Sequence, residues 1–149
     1  MSVKVLFICT GNLCRSPTAE VLLRHASANA GLRVETRSAG IHAPKGHHAD
    51  KKAARVLRER GISLAEHRAK QVTTEDLQWA DRVFCMEVRH LRYLERHMPS
   101  RPRCELLGPM AGFMELADPH GSWWLRPYRQ SLGRIERAIE RLLEELQED

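Results

Sequence analysis

No stretch of this sequence is apolar for long enough to cross a bilayer. Its longest uninterrupted apolar run, VLFIC at 5–9, falls far short of the roughly 20 residues a spanning helix needs. No cleavage-site pattern follows that run, so no signal peptide is expected and the cytoplasm is the expected location. Cysteine is present but unpatterned: Cys9, Cys14, Cys85 and Cys104 form no CxxC pair and no Cys/His zinc spacing, which argues against a zinc module. At 149 residues the chain can bury a full core without staples, so reduced thiols are expected in place of a disulfide framework. Aromatic residues are scarce, at 5%, and they build no aromatic-interleaved basic stripe. The net charge of +5 comes from arginines scattered from Arg24 to Arg141, not from a block. A solvated surface is therefore expected, and nucleic acid and membrane are not expected partners. Repeats, linkers and low-complexity segments are also missing, which leaves a single domain over 1–149.

What is present alternates between two periodicities. VKVLFIC at 3–9 has the β-branched, apolar character of a buried strand. After a short loop, Ala19, Leu22, Leu23 and Ala26 fall on one helical face, with Ser16 as expected cap, Pro17 in the first turn and Gly31 as the stop. A second strand is expected at 32–38, and a helix capped by Asp50 runs toward Gly61. A short helix opens at 73–76, strands follow at 81–86 and 103–107, and a helix at 87–97 lies between them. Leu132, Ile135, Ile139, Leu142 and Leu146 mark a last helix whose start is blurred by Pro127. Strands alternating with helices predict an α/β fold, a four-stranded parallel sheet with helices on both faces. In such sheets ligands bind beyond the carboxyl ends of strands, where the loop at 9–16 falls.

That loop carries the chemistry. A strand delivers Cys9, a tight turn follows through Thr10, Gly11, Asn12, Leu13 and Cys14, and a helix begins just after Arg15 and Ser16. Gly11 and Asn12 tolerate left-handed backbone, which lets successive N–H groups point inward toward a phosphate. The helix N-terminus adds partial positive charge, and the Arg15 fork suits two phosphate oxygens. The same field favours the thiolate of Cys9 and makes it a nucleophile. Ser16 is placed to donate to that sulfur. Cys14, inside the same loop, is the expected redox partner: a sulfenic acid on Cys9 would condense with it to a disulfide.

The segment VLFICTGNLCRSPTAEVLLR, with its Cys-x5-Arg-Ser-Pro loop, resembles the active-site segment of the low-molecular-weight protein tyrosine phosphatases. The resemblance continues through Ser38-Ala39-Gly40, His67-Arg68-Ala69-Lys70-Gln71, the stretch at 80–94, Glu105-Leu106-Leu107-Gly108 and Asp118-Pro119. It implies two-step hydrolysis of phosphotyrosine monoesters through a phosphocysteine, with no metal and no other cofactor. Cys9 would be the nucleophile, Arg15 the clamp, and Asp118 the acid and then the base. Asn12, Ser16, Ser38 and His67 would form a supporting network. The implied partner is a phosphotyrosine protein, a bacterial tyrosine kinase among the candidates, met by a monomer or weak dimer.

Three departures from the family pattern bear on substrate choice. His120 follows Pro119 where the family commonly has an aromatic residue. The loop at 41–49, IHAPKGHHA, lacks the usual aromatic wall, leaving Trp123 or Trp124 to supply one. His42, His47 and His48 in that loop have no acidic partners in sequence and are expected to be solvated, not metal-bound. The rivals on the same scaffold are an arsenate reductase, which would need a late pair of shuttle cysteines, and a protein-arginine phosphatase, which would carry Thr where this chain has Leu13. A phosphate-binding module without turnover is the rival from another class.

Overall fold

The strongest local signal in the sequence becomes the centre of the molecule. Strand β1 (Val3–Cys9) pairs in parallel with β2 (Val34–Gly40) on one side and β3 (Arg82–Cys85) on the other. Strand β4 (Cys104–Leu106) adds to β3, giving the all-parallel order β2-β1-β3-β4. The computed structural model describes residues 2–148. Parallel neighbours require crossovers, and helices supply them: α1 (Arg15–Asn29), α2 (Lys51–Arg58), α3 (Thr74–Trp79) and α4 (Val88–His97), with α5 (Arg126–Glu148) closing the fold. Among the described residues no helix is long and apolar enough to cross a membrane.

Both faces of β1 are covered, so Val5, Leu6, Phe7 and Ile8 are wholly buried. The two-residue period sorts them. Val5, Phe7 and Cys9 join the core under α1, α2 and α5, whereas Leu6 and Ile8 face the core under α3 and α4. On α5 the spaced residues Leu132, Ile135, Ile139, Leu142 and Leu146 all turn inward, each burial worth about 1.5–3 kcal/mol.

Element boundaries follow the expected punctuation with two corrections, one at a helix and one at a strand. Asp50 caps α2 by accepting from the N–H groups of Lys52 and Ala53, and Gly31 takes a positive φ of 69° after α1. Pro127 sits in the first turn of α5, where no backbone donor is needed. Ser16, however, does not cap α1: the helix starts at Arg15, has no side-chain cap, and the Ser16 hydroxyl is engaged elsewhere. The second strand lies at Val34–Gly40, two residues later than 32–38, because its register runs from Val3↔Val34 to Cys9↔Gly40. That shift brings Gly40 to the end of β1, beside the loop.

Candidate active site

The loop between β1 and α1 is left-handed at one residue only. Asn12 has φ 55° and is fully buried, whereas Gly11 does not enter the left-handed region. An Asn can be held there because its side chain and carbonyl have partners on all sides. Asn12 Nδ2 donates to Ser16 Oγ and Ser38 Oγ, both at 2.9 Å, and Oδ1 accepts from the Lys70 N–H at 2.9 Å. Its carbonyl accepts from His67 Nε2 at 2.6 Å, which places the imidazole proton on that nitrogen. The structure thus brings Asn12, Ser16, Ser38 and His67 together. None of the N–H groups of Gly11, Asn12, Leu13 and Cys14 donates to an acceptor among the described residues, so they remain available to an oxyanion.

The network hands its polarity to the sulfur. Ser16 Oγ already accepts from Asn12, leaving its own proton for Cys9 Sγ at 2.9 Å. Cys14, by contrast, is the N-cap residue of α1 and is buried. Burial first, then the carboxylates of Asp50 and Asp118, push its thiol well above the ordinary range. It is a poor competing nucleophile.

Arg15 is almost completely buried, an unusual state for an arginine, and it is satisfied there. Nη1 donates to Glu87 Oε2 at 2.6 Å and to the Leu116 carbonyl at 2.7 Å. Nη2 lies 3.4 Å from Asp118 Oδ2. Burial raises the Glu87 carboxyl, but the hydrogen bonds from Arg89 and Arg15 outweigh it and hold Glu87 below its usual value. Beside it, His90 is buried and its pKa falls to about 4, chiefly through desolvation and then through the charge of Arg15. His90 Nδ1 accepts from the Glu87 N–H at 3.0 Å, so the neutral ring donates from Nε2 to Thr10 Oγ1 at 2.9 Å. Glu87, His90 and Leu116 were not singled out in the sequence; the only signal was that the first two lie inside the matching stretch at 80–94.

Asp118 stands on the loop before α5, with its Oδ1 accepting from the His120 N–H at 3.0 Å. A groove of about 870 Å³ opens beside the loop between Leu13, His47, His48, Asp50, His120 and Trp123. Trp123 is therefore the tryptophan on the groove, while Trp124 does not line it. His42 packs edge-on against Tyr93, and among the described residues no cluster of metal-ligating side chains forms around the loop histidines. Cys85 points to the face of the sheet opposite Cys9, and burial pushes its thiol well up. Cys104 packs against the same core as Cys85, so both thiols belong to the face of the sheet away from Cys9.

A cysteine at the head of a phosphate-sized loop, a buried guanidinium and a facing carboxylate on an all-parallel sheet define a phosphoric monoester hydrolase. The comparisons agree. The family model described as low molecular weight phosphotyrosine protein phosphatase matches residues 4–149, and the chain belongs to that family. It is 36% identical to the protein-arginine-phosphatase of Geobacillus stearothermophilus, covering 99% of this chain and 98% of that protein. It is 35% identical to the low molecular weight protein-tyrosine-phosphatase Wzb of Escherichia coli, covering 92% of this chain and 88% of that protein. Among solved structures, the low molecular weight protein tyrosine phosphatase from T. tengcongensis superposes with a TM-score of 0.90 at 36% identity, over 96% of this chain and 99% of that one.

Proposed function

We propose that this enzyme hydrolyses phosphotyrosine in proteins, with Cys9 as nucleophile, Arg15 as transition-state clamp and Asp118 as proton donor and acceptor. The observation that carries the reading is the placement of Cys9 Sγ, buried Arg15 and Asp118 around one loop whose N–H groups point to no other acceptor. In the first step the Cys9 thiolate attacks phosphorus, the bond from phosphorus to the phenolic oxygen breaks, and Asp118 gives its proton to that oxygen. In the second, Asp118 takes a proton from water as the water oxygen attacks phosphorus. The P–S bond breaks, releasing inorganic phosphate and regenerating the thiolate. The backbone donors, the helix N-terminus and Arg15 hold the equatorial oxygens throughout. The neutral His90 and the Thr10 hydroxyl flank the loop without adding charge.

The reading includes a reducing compartment such as the cytoplasm, a phosphotyrosine protein as partner, and a Cys9–Cys14 disulfide as a reversible resting place under oxidation. A second reading, phosphoarginine hydrolysis, is favoured by one observation: the Geobacillus arginine phosphatase matches along the whole chain. Against it stands Leu13 on the groove, an aliphatic side chain suited to an aromatic ring and unable to bond a guanidinium. A panel of phosphotyrosine peptide, phosphoarginine, phosphoserine and arsenate separates these readings. Phosphotyrosine is expected to dominate, with turnover abolished and phosphate binding retained in Cys9→Ser. A dominant phosphoarginine rate, unmoved by Leu13→Thr, would reverse the assignment.

A further inference from the structure

The residue after Pro119 departs from the family pattern, and the structure shows what it does instead. His120 Nδ1 lies 2.5 Å from Asp50 Oδ2. Asp50 is a carboxylate with both oxygens occupied: Oδ1 accepts from the first turn of α2, and Oδ2 accepts from the Tyr128 hydroxyl at 2.7 Å as well as from His120. Its backbone N–H donates to the Leu13 carbonyl at 2.8 Å, which ties the same residue to the phosphate loop. On the other side, the His120 N–H donates to Asp118 Oδ1, and the next N–H, that of Gly121, donates to the Tyr128 hydroxyl at 3.2 Å. One half-exposed imidazole therefore joins the loop that carries Asp118 to a buried anchor shared by α2, α5 and the phosphate loop.

We infer that His120 is a positioning residue: its Nδ1–H bond to Asp50 holds the loop that presents the Asp118 carboxyl to the leaving oxygen. This rests on the assignment of Asp118 as proton donor. Because the N–H groups of Lys52 and Ala53 and the Tyr128 hydroxyl already donate to Asp50 and favour its ionised form, the imidazole must carry a proton on Nδ1 to complete the contact. An aromatic wall at this position would contribute contact area to the substrate ring; a tether contributes aim. The two differ in what replaces them. Glutamine keeps a donor and loses the ring, while phenylalanine keeps the ring and loses the donor.

The test compares kcat/KM of wild type, His120→Phe, His120→Gln and Asp118→Asn on phenyl phosphate, whose phenolate needs a proton, and on 4-nitrophenyl phosphate, whose leaving group scarcely does. Loss of one hydrogen bond to a charged group is expected to cost His120→Phe about 10-fold or more on phenyl phosphate and under about 3-fold on the nitrophenyl ester. His120→Gln is expected to stay within about 3-fold of wild type on both. The inference is overturned if Phe restores activity and Gln does not, or if His120→Phe loses equally on the two esters while Asp118→Asn loses selectively on phenyl phosphate. If Asp118→Asn itself shows no selectivity, the acid assignment fails and the tether loses its purpose with it. Thermal melts of each variant accompany the kinetics, and a matched loss of melting temperature and of both rates in His120→Phe, absent in His120→Gln, also counts against a role in aiming.

Discussion

At the scale of single residues the site is governed by how Arg15 is aimed. A buried guanidinium with two protein acceptors on Nη1 has little freedom left, so its second edge is presented to whatever occupies the loop. A lysine supplies charge without the fork. Arg15→Lys is expected to lower kcat/KM by about 10²–10³-fold, the usual cost of removing a preorganised donor. Glu87→Gln, which removes the ion pair but leaves the Leu116 carbonyl, is expected to cost less, about 10-fold. Equal activity of Glu87→Gln and wild type would mean that packing alone sets the arginine. Cys14 belongs to the same scale. Its raised pKa keeps it a thiol, so the proposed condensation with a Cys9 sulfenic acid, which forms the S–S bond and releases water, relies on the nearness of the two sulfurs within one loop and not on a ready Cys14 thiolate. Mild peroxide is expected to inactivate the enzyme and a dithiol to restore it, with recovery much poorer in Cys14→Ser. Peptide mapping that finds Cys9 as sulfinic acid beside a free Cys14 would remove the protective role.

At the scale of elements, the decisive contact is between the end of β2 and the phosphate loop. A Cβ added at Gly40 would lie 2.6 Å from the Thr10 carbonyl oxygen and 2.9 Å from the Asn12 nitrogen, both backbone atoms that cannot swing aside. Gly40→Ala is thus expected to push the loop out of shape. A loss of about 1–3 kcal/mol of stability in urea unfolding is expected, with at least a 10-fold fall in kcat/KM. Wild-type turnover in Gly40→Ala would mean the loop tolerates displacement. Ser38, two residues earlier on the same strand, donates to Glu20 Oε1 at 2.6 Å while accepting from Asn12, so β2 and α1 brace the loop from both sides.

For the whole molecule, pH is the lever. His90 is buried neutral with a pKa of about 4 against an ordinary value near 6.5, so the unfolded chain binds its proton first. Its contribution is complete above about pH 6.5 and is lost as pH falls toward 4, at up to about 1.4 kcal/mol per unit. Asp50, Asp76 and Glu87 are held below their usual values even though burial alone would raise them; their hydrogen bonds and cationic neighbours prevail. Their contribution is present above about pH 4 and disappears below it. Urea unfolding from pH 8 to 3 is expected to show two successive declines, and His90→Gln is expected to flatten the first. An unchanged slope between pH 6.5 and 4 in that variant would place the sensitivity elsewhere.

What the sequence by itself determined is local or contiguous. The residues from Cys9 to Ser16 stand next to one another, the strand and helix periodicities that flank them are short-range, and Asp50 announces a cap in its own turn. Those features follow from sterics and hydrogen bonding within a few residues, and alternating strands and helices are enough to imply the parallel sheet. Only the tertiary structure decided how distant groups meet. Glu87 reaches Arg15, and Tyr128 and His120 reach Asp50, across separations of 70 residues or more. The Ser16 hydroxyl, a cap by local rules, turns instead to Cys9 because Asn12 is already bonded to it. A hydrogen bond's partner is set by which atoms the sheet and helices bring within about 3 Å, and a one-dimensional pattern does not carry that distance.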